Sequence, residues 1–108
     1  ESRLFDSGDT LHAPHLLDIE VTHVLRRYSL AGELGTRRGR EALEDFLQLP
    51  IIRYPHDLLL PRLWELRHNL SAYDAAYVAL AEALSVPLIT RDGRLAAATG
   101  HQATIEAL

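Results

Sequence analysis

Leu70-Ser71-Ala72-Tyr73-Asp74-Ala75-Ala76-Tyr77-Val78-Ala79-Leu80-Ala81-Glu82-Ala83-Leu84 is the longest nearly apolar stretch of the chain, and from Ala72 to Leu84 it carries only two charges, Asp74 and Glu82. A helix that is apolar almost all round is buried on most sides. The stretch therefore predicts a central helix reaching to about Ser85, with Asp74 at its mouth. An idle carboxylate is costly there, so its position asks for a partner.

Outward from this helix, the chain reads as strands alternating with helices. Val86–Thr90 predicts a strand directly after it, followed by an Arg91-Asp92-Gly93-Arg94 turn, a short helix at Leu95–Ala98 closed by Gly100, and a last strand at His101–Ile105. Upstream, Asp57 caps a helix running through Arg67, with Pro61 near its start where a proline does least damage. Ile51–Tyr54 is rich in strand formers. A helix over Thr36 to about Leu49 presents Ala42, Leu43, Phe46 and Leu47 as an apolar stripe. Another runs from Pro14 to about Leu30, with Pro14 at a position where its missing N–H costs nothing. Thr10–Ala13 is extended, and residues 1–9 read as the last turns of a helix and a polar turn. This alternation predicts one α/β domain over residues 1–108 with a mostly parallel sheet. Such a sheet normally holds a long central apolar strand, which these residues do not supply. The lack of that strand and of any Met points to an N-terminal segment upstream of Glu1.

The bulk properties narrow the function. The chain has 108 residues, 47% of them hydrophobic and 24% charged, which suits a globular domain and not a disordered one. No apolar run is long enough for a bilayer, and the start carries no signal-peptide pattern, so no membrane role is expected. There is no Cys, hence no disulfide framework and no thiolate metal site, as suits a cytoplasmic protein. The net charge of −4 argues against indiscriminate nucleic-acid binding. All 11 basic residues are Arg, and Arg26, Arg27, Arg37, Arg38 and Arg40 fall close together. Their planar donor forks suit phosphate, although an ordinary solvated helix surface explains them as well.

Three carboxylates resist a plain surface reading. Glu20 sits at the edge of the apolar face formed by Leu17, Val21, Val24 and Tyr28. Asp74 opens the buried helix, and Ser71-x-x-Asp74 matches a capping-box variant. Asp92 follows Leu88-Ile89-Thr90 just past the carboxyl end of a strand, where open α/β sheets bind ligands. Taken one at a time, each has a structural explanation: an outward-reaching Glu for the first, helix or turn capping for the two Asp. Taken together, they repel one another unless a cation lies among them. Hard oxygen donors suit Mg²⁺ or Mn²⁺, which can activate water and stabilise charge on phosphate.

Ala13-Pro14-His15-Leu16-Leu17-Asp18-Ile19-Glu20-Val21, Tyr73-Asp74-Ala75-Ala76-Tyr77-Val78-Ala79-Leu80-Ala81 and Leu88-Ile89-Thr90-Arg91-Asp92 together resemble the PIN-domain ribonucleases, and among them the VapC-type toxins of bacterial toxin–antitoxin pairs. The resemblance runs through the whole chain in order. It implies a PIN-like three-layer fold with helices flanking the sheet, and a metal-dependent endoribonuclease acting on structured RNA such as tRNA or rRNA. It also implies a cognate antitoxin, a homodimer and Mg²⁺ or Mn²⁺ held by Glu20, Asp74 and Asp92. The family's first strand, central in its sheet and ending in Asp, has no counterpart from Glu1 onward. Arg26, Arg27, Arg91 and Arg94 are candidates for RNA backbone, and the Arg37–Arg40 group serves either RNA or the antitoxin. Thr90 is a candidate ligand contact or a plain strand-end residue. His12, His15 and His23 do not form a zinc pattern, and Leu63 and Trp64 read as core or interface. A phosphoryl-accepting Asp enzyme would look for a Lys, and the chain has none. The remaining alternative is a non-catalytic partner-binding module whose carboxylates are helix caps.

Overall fold

The computed structural model describes residues 3–7, as backbone, and residues 10–108. The chain divides into two compact units, one of residues 1–16 with 51–108 and the other of residues 17–50.

The first unit is built on a five-stranded sheet: β1 (Arg3–Ser7), β2 (Thr10–Pro14), β3 (Ile51–Tyr54), β4 (Leu88–Thr90) and β5 (Ile105–Ala107), in the order β3-β2-β1-β4-β5. The outer pairs β2·β3 and β4·β5 are parallel, while β1 runs antiparallel to both β2 and β4. The expectation of a mostly parallel sheet is therefore corrected to an evenly mixed one. The connection between β1 and β2 is far too short for a parallel crossover, so the pair is antiparallel. The centre of the sheet is also filled, by a segment whose sequence reads as a helix remnant. Five residues carry too little pattern to identify a strand, and pairing on both sides overrides local propensity. Pro14 likewise ends β2, opposite Tyr54, and does not start a helix.

Helices α3 (Leu60–Glu65) and α4 (Ala72–Leu84) pack together, and α4 lies on β2 and β4. The expected helix from Asp57 through Arg67 is a 3₁₀ turn at Asp57–Leu59 leading into the short α3, with Pro61 in its first turn. Every residue from Ala75 to Ala81 is buried. The alanines let the helix approach the sheet closely, while Tyr77 and Leu80 supply bulk. Burying a side chain of that size contributes about 1.5–3 kcal/mol. At the end of α4, Ser85 takes a left-handed conformation (φ 56°), and Val86 N–H donates to the Ala81 carbonyl. The helix α5 (Gly93–Ala96) begins earlier than the sequence suggests, and β5 begins later.

The second unit holds α1 (Leu16–Leu30) from Leu17 onward and α2 (Thr36–Leu47). Gly32, with φ 77°, closes α1: its N–H donates to Ser29 and the next N–H donates to Tyr28. These are the two bonds of a Schellman end, and the positive φ favours glycine. The residue at the N-cap of α2 is Gly35. Arg38 reaches both Glu41 and Asp45 on the exposed side of α2. No helix among the described residues is long and apolar enough to cross a membrane.

Candidate active site

The N-terminal end of α4 opens onto a cleft of about 220 Å³ lined by Asn69, Leu70, Ser71, Asp74, Asp92, Arg94, Leu95 and Ala98. Asp74 and Asp92, far apart in sequence, thus face one space. Each is held by a short local motif.

Ser71 is extended (φ −63°, ψ 159°), and its hydroxyl accepts the Asp74 N–H at 3.1 Å. This is an N-cap, and it fixes the first turn from which the Asp74 carboxylate projects. The carboxylate is half-buried where the helix enters the core.

Asp92 follows β4 and caps α5. Its Oδ1 accepts the N–H groups of Arg94 at 2.9 Å and Leu95 at 3.4 Å. Thr90 is buried, and its hydroxyl accepts the Asp92 N–H at 3.0 Å. Thr90 is therefore a support for Asp92. The capping explanation and the cleft explanation of Asp92 hold together, because one carboxylate oxygen carries the cap bonds. Arg94 Nε lies 3.9 Å from the same Oδ1, with its side chain otherwise in solvent.

Asn69 completes one wall. Its Nδ2 donates to Thr99 Oγ1 at 3.3 Å, and it lies directly against Gly100. A Cβ on Gly100 would fall 2.9 Å from Asn69 Cγ, and Gly100 has φ +87°, so both space and backbone favour glycine. The sequence marks Gly100 as a helix stop but carries no sign of this contact.

The other candidates stand elsewhere. Glu20 is half-buried on α1, in the second unit. Arg26 lines a shallow depression of that unit with Arg40, Leu25 and Leu43, and Arg27 is exposed in the last turn of α1. Arg91 is exposed. Among the described residues no group of three or more His, Asp or Glu side chains is assembled as a metal site. His12 Nδ1 lies 2.7 Å from the Tyr54 hydroxyl, and His23 is exposed. The core alternative for Trp64 is overturned: its ring is exposed and carries the Arg67 guanidinium 4.4 Å from its centre.

A carboxylate that the sequence does not single out is firmly anchored. Glu82, near the other end of α4, takes a two-pronged pair from Arg62, Nε to Oε1 at 2.7 Å and a terminal nitrogen to Oε2 at 2.9 Å. Gln102 N–H donates to Oε2 at 2.7 Å. The Arg62 bonds hold Glu82 below its ordinary range against the opposing effect of burial, and the Gln102 N–H adds to the lowering. Arg62 is pushed further up in turn, first by Glu82 and with help from Glu65. The spacing from Arg62 to Glu82 has no sequence signature, because it depends on how α3 packs on α4.

Residues 1–100 match the profile of the PIN domain family. The ribonuclease VapC1 of Mycobacterium tuberculosis is 54% identical over 90 residues, covering 82% of this chain and 68% of that protein. A VapC ribonuclease of Mycobacterium bovis is 48% identical over 95 residues, covering 88% and 75%. The ribonuclease VapC12 of M. tuberculosis is 43% identical over 99 residues, covering 92% and 77%. With its mixed α/β fold, its capped carboxylates on one cleft and a match through nearly its whole length, the chain belongs to the PIN domain family, as a homologue of the VapC ribonucleases.

Proposed function

We propose that this chain is a divalent-metal-dependent endoribonuclease of the VapC toxin kind, acting in the cytoplasm on structured RNA such as tRNA or rRNA and silenced by a cognate antitoxin. The observation that carries this reading is the pairing of Asp74 and Asp92 across one cleft in a chain whose relatives are named ribonucleases. The donor set suits a hard cation. Mg²⁺ binds through one or two carboxylates and keeps several waters, and Mn²⁺ accepts the same oxygen donors. Asp74 and the second oxygen of Asp92 would hold the ion, with Glu20 as the third acidic residue. Once bound, it supplies charge stabilisation for the phosphate and lowers the pKa of water.

The chain's own residues orient the reactants. Asp74 accepts a hydrogen bond from the attacking water, and Ser71 keeps that carboxylate in place. Water adds its oxygen to phosphorus as one P–O ester bond breaks, and one of its protons passes by way of solvent to the leaving oxygen. Arg94, at the cleft rim, and Arg91 meet neighbouring backbone phosphates. Arg26 and Arg27 extend that role, or serve the antitoxin with the Arg37–Arg40 group. A homodimer over the apolar helix faces completes the reading.

One observation favours the alternative of a non-catalytic partner-binding module: Asp92 is in fact a helix cap. Incubation of the purified chain with tRNA and rRNA separates the two. Cleavage at discrete positions that stops with EDTA and returns with Mg²⁺ or Mn²⁺ is expected. Cleavage indifferent to EDTA would remove the metal. Intact RNA together with no Mn²⁺ binding by calorimetry would favour the module.

A further inference from the structure

The start of α1 is held by an unusual acceptor. The parallel pairing of β2 with β3 ends at Pro14 opposite Tyr54, and one further bond, from His15 N–H to the Tyr54 carbonyl at 2.9 Å, extends it. The next donor is Leu16 N–H, the first of α1. By then the partner strand has turned away at Pro55. The acceptor is instead the His56 side chain, whose Nε2 takes the Leu16 N–H at 2.9 Å. The residue before Leu16 is His15, so α1 lacks the Ser, Thr, Asp or Asn that usually caps a helix.

A backbone N–H can only donate. The bond therefore requires a lone pair on Nε2, and in the neutral ring the proton then sits on Nδ1. We propose that neutral His56 is a positioning residue that caps α1 from the other end of a 40-residue loop, and that protonating it releases the β2–α1 junction. Protonation consumes the accepting lone pair and sets a cation at the positive end of the helix. Titratable groups occur on each of the segments joined here. His15 presents its ring edge-on, with centroids 6.2 Å apart, and Asp57 follows His56 in its own turn. Tyr54 is bonded to His12 at the end of β3, and Asp18 lies in the first turn of α1. Neither carboxylate can restore the lone pair that protonation consumes. The junction is where the chain passes from one compact unit to the other.

The inference stands apart from the ribonuclease reading, and its test needs no activity. The whole ¹⁵N-labelled chain is examined by NMR at about pH 7.5 and about pH 5, on either side of the usual imidazole range. At the higher pH the His56 ring should show Nδ1 protonated and Nε2 bare, with the Leu16 amide protected. At the lower pH the Leu16 protection factor should fall about tenfold or more. His56→Gln, which keeps an acceptor at a similar reach without titrating, should make that protection independent of pH. His56→Ala should lose it at both. An Nε2-protonated ring at about pH 7.5, or wild-type protection of Leu16 in a folded His56→Ala chain, overturns the proposal. If His56→Ala fails to fold, the wild-type tautomer and the His56→Gln pH series decide.

Discussion

Asp74 and Glu82 ride on the same helix two turns apart, and their surroundings differ in kind. Glu82 is closed in by three donors, two from Arg62 and one from the Gln102 backbone. Both of its oxygens are spent, and it ties α3 and the segment before β5 to α4. Asp74 has its backbone pinned by Ser71, while its carboxylate opens onto the cleft shared with Asp92. One end of α4 uses negative charge to hold the fold together. The other presents negative charge to a space that a ligand can enter.

The sharpest way to break this contrast is to neutralise each carboxylate in turn. Asp74→Asn should lower metal-dependent RNA cleavage by more than about 100-fold, since changing even the outer partners of metal ligands costs 10–100-fold. Its unfolding midpoint in urea should barely move. If cleavage survives, Asp74 has no part in the reaction.

Glu82→Gln should do the reverse. Removing one partner of a well-buried ion pair costs about 3–5 kcal/mol; Arg62 is about a third exposed and keeps Glu65, so a loss of roughly 1–3 kcal/mol is expected. Mn²⁺ affinity should not change. The pH dependence gives a second reading. Because folding lowers the Glu82 pKa, its contribution is fully present above the ordinary value of 4.5 and fades as the pH falls through the lower folded value. The stability gap between wild type and Glu82→Gln should therefore close in acid. A gap that stays constant down to about pH 2 would show that charge is not what matters at Glu82.

Asp92 combines both kinds of role, and two substitutions separate them. Asp92→Ala removes the cap of α5 and should cost about 1 kcal/mol in urea unfolding. Asp92→Asn keeps a capping oxygen and should cost only a few tenths, yet weaken Mn²⁺ binding as much as Asp92→Ala does. Equal stability losses in the two variants would mean that the cap depends on the charge.

Local patterning carried much of this protein. The apolar run from Ala75 to Ala81 was enough to identify α4 as the buried helix, because a helix without a polar face has nowhere else to go. Ser71 was legible as its cap, since the cap bond spans three residues, and Ile51–Tyr54 was legible from its β-formers. Asp92 was marked as cap or ligand from its place after a strand. The order of Tyr73–Ala81 and Leu88–Asp92 also carried the family.

What depended on partners distant in the chain was not legible. Arg3–Ser7 is a strand because β2 and β4 pair with it, and no pattern in five residues announces that. Pro14 closes a strand because β3 lies beside it. Arg62 finds Glu82, and His56 finds Leu16, through hydrogen bonds that are made only once packed elements bring the two ends within about 3 Å. The same holds for the cleft. Each Asp owes its local geometry to residues within three positions of it, but their meeting across one space depends on how α4 lies on the sheet. Short-range bonds can be read from spacing, whereas long-range ones exist only after the entropy of closing the chain between them has been overcome by burial of the core.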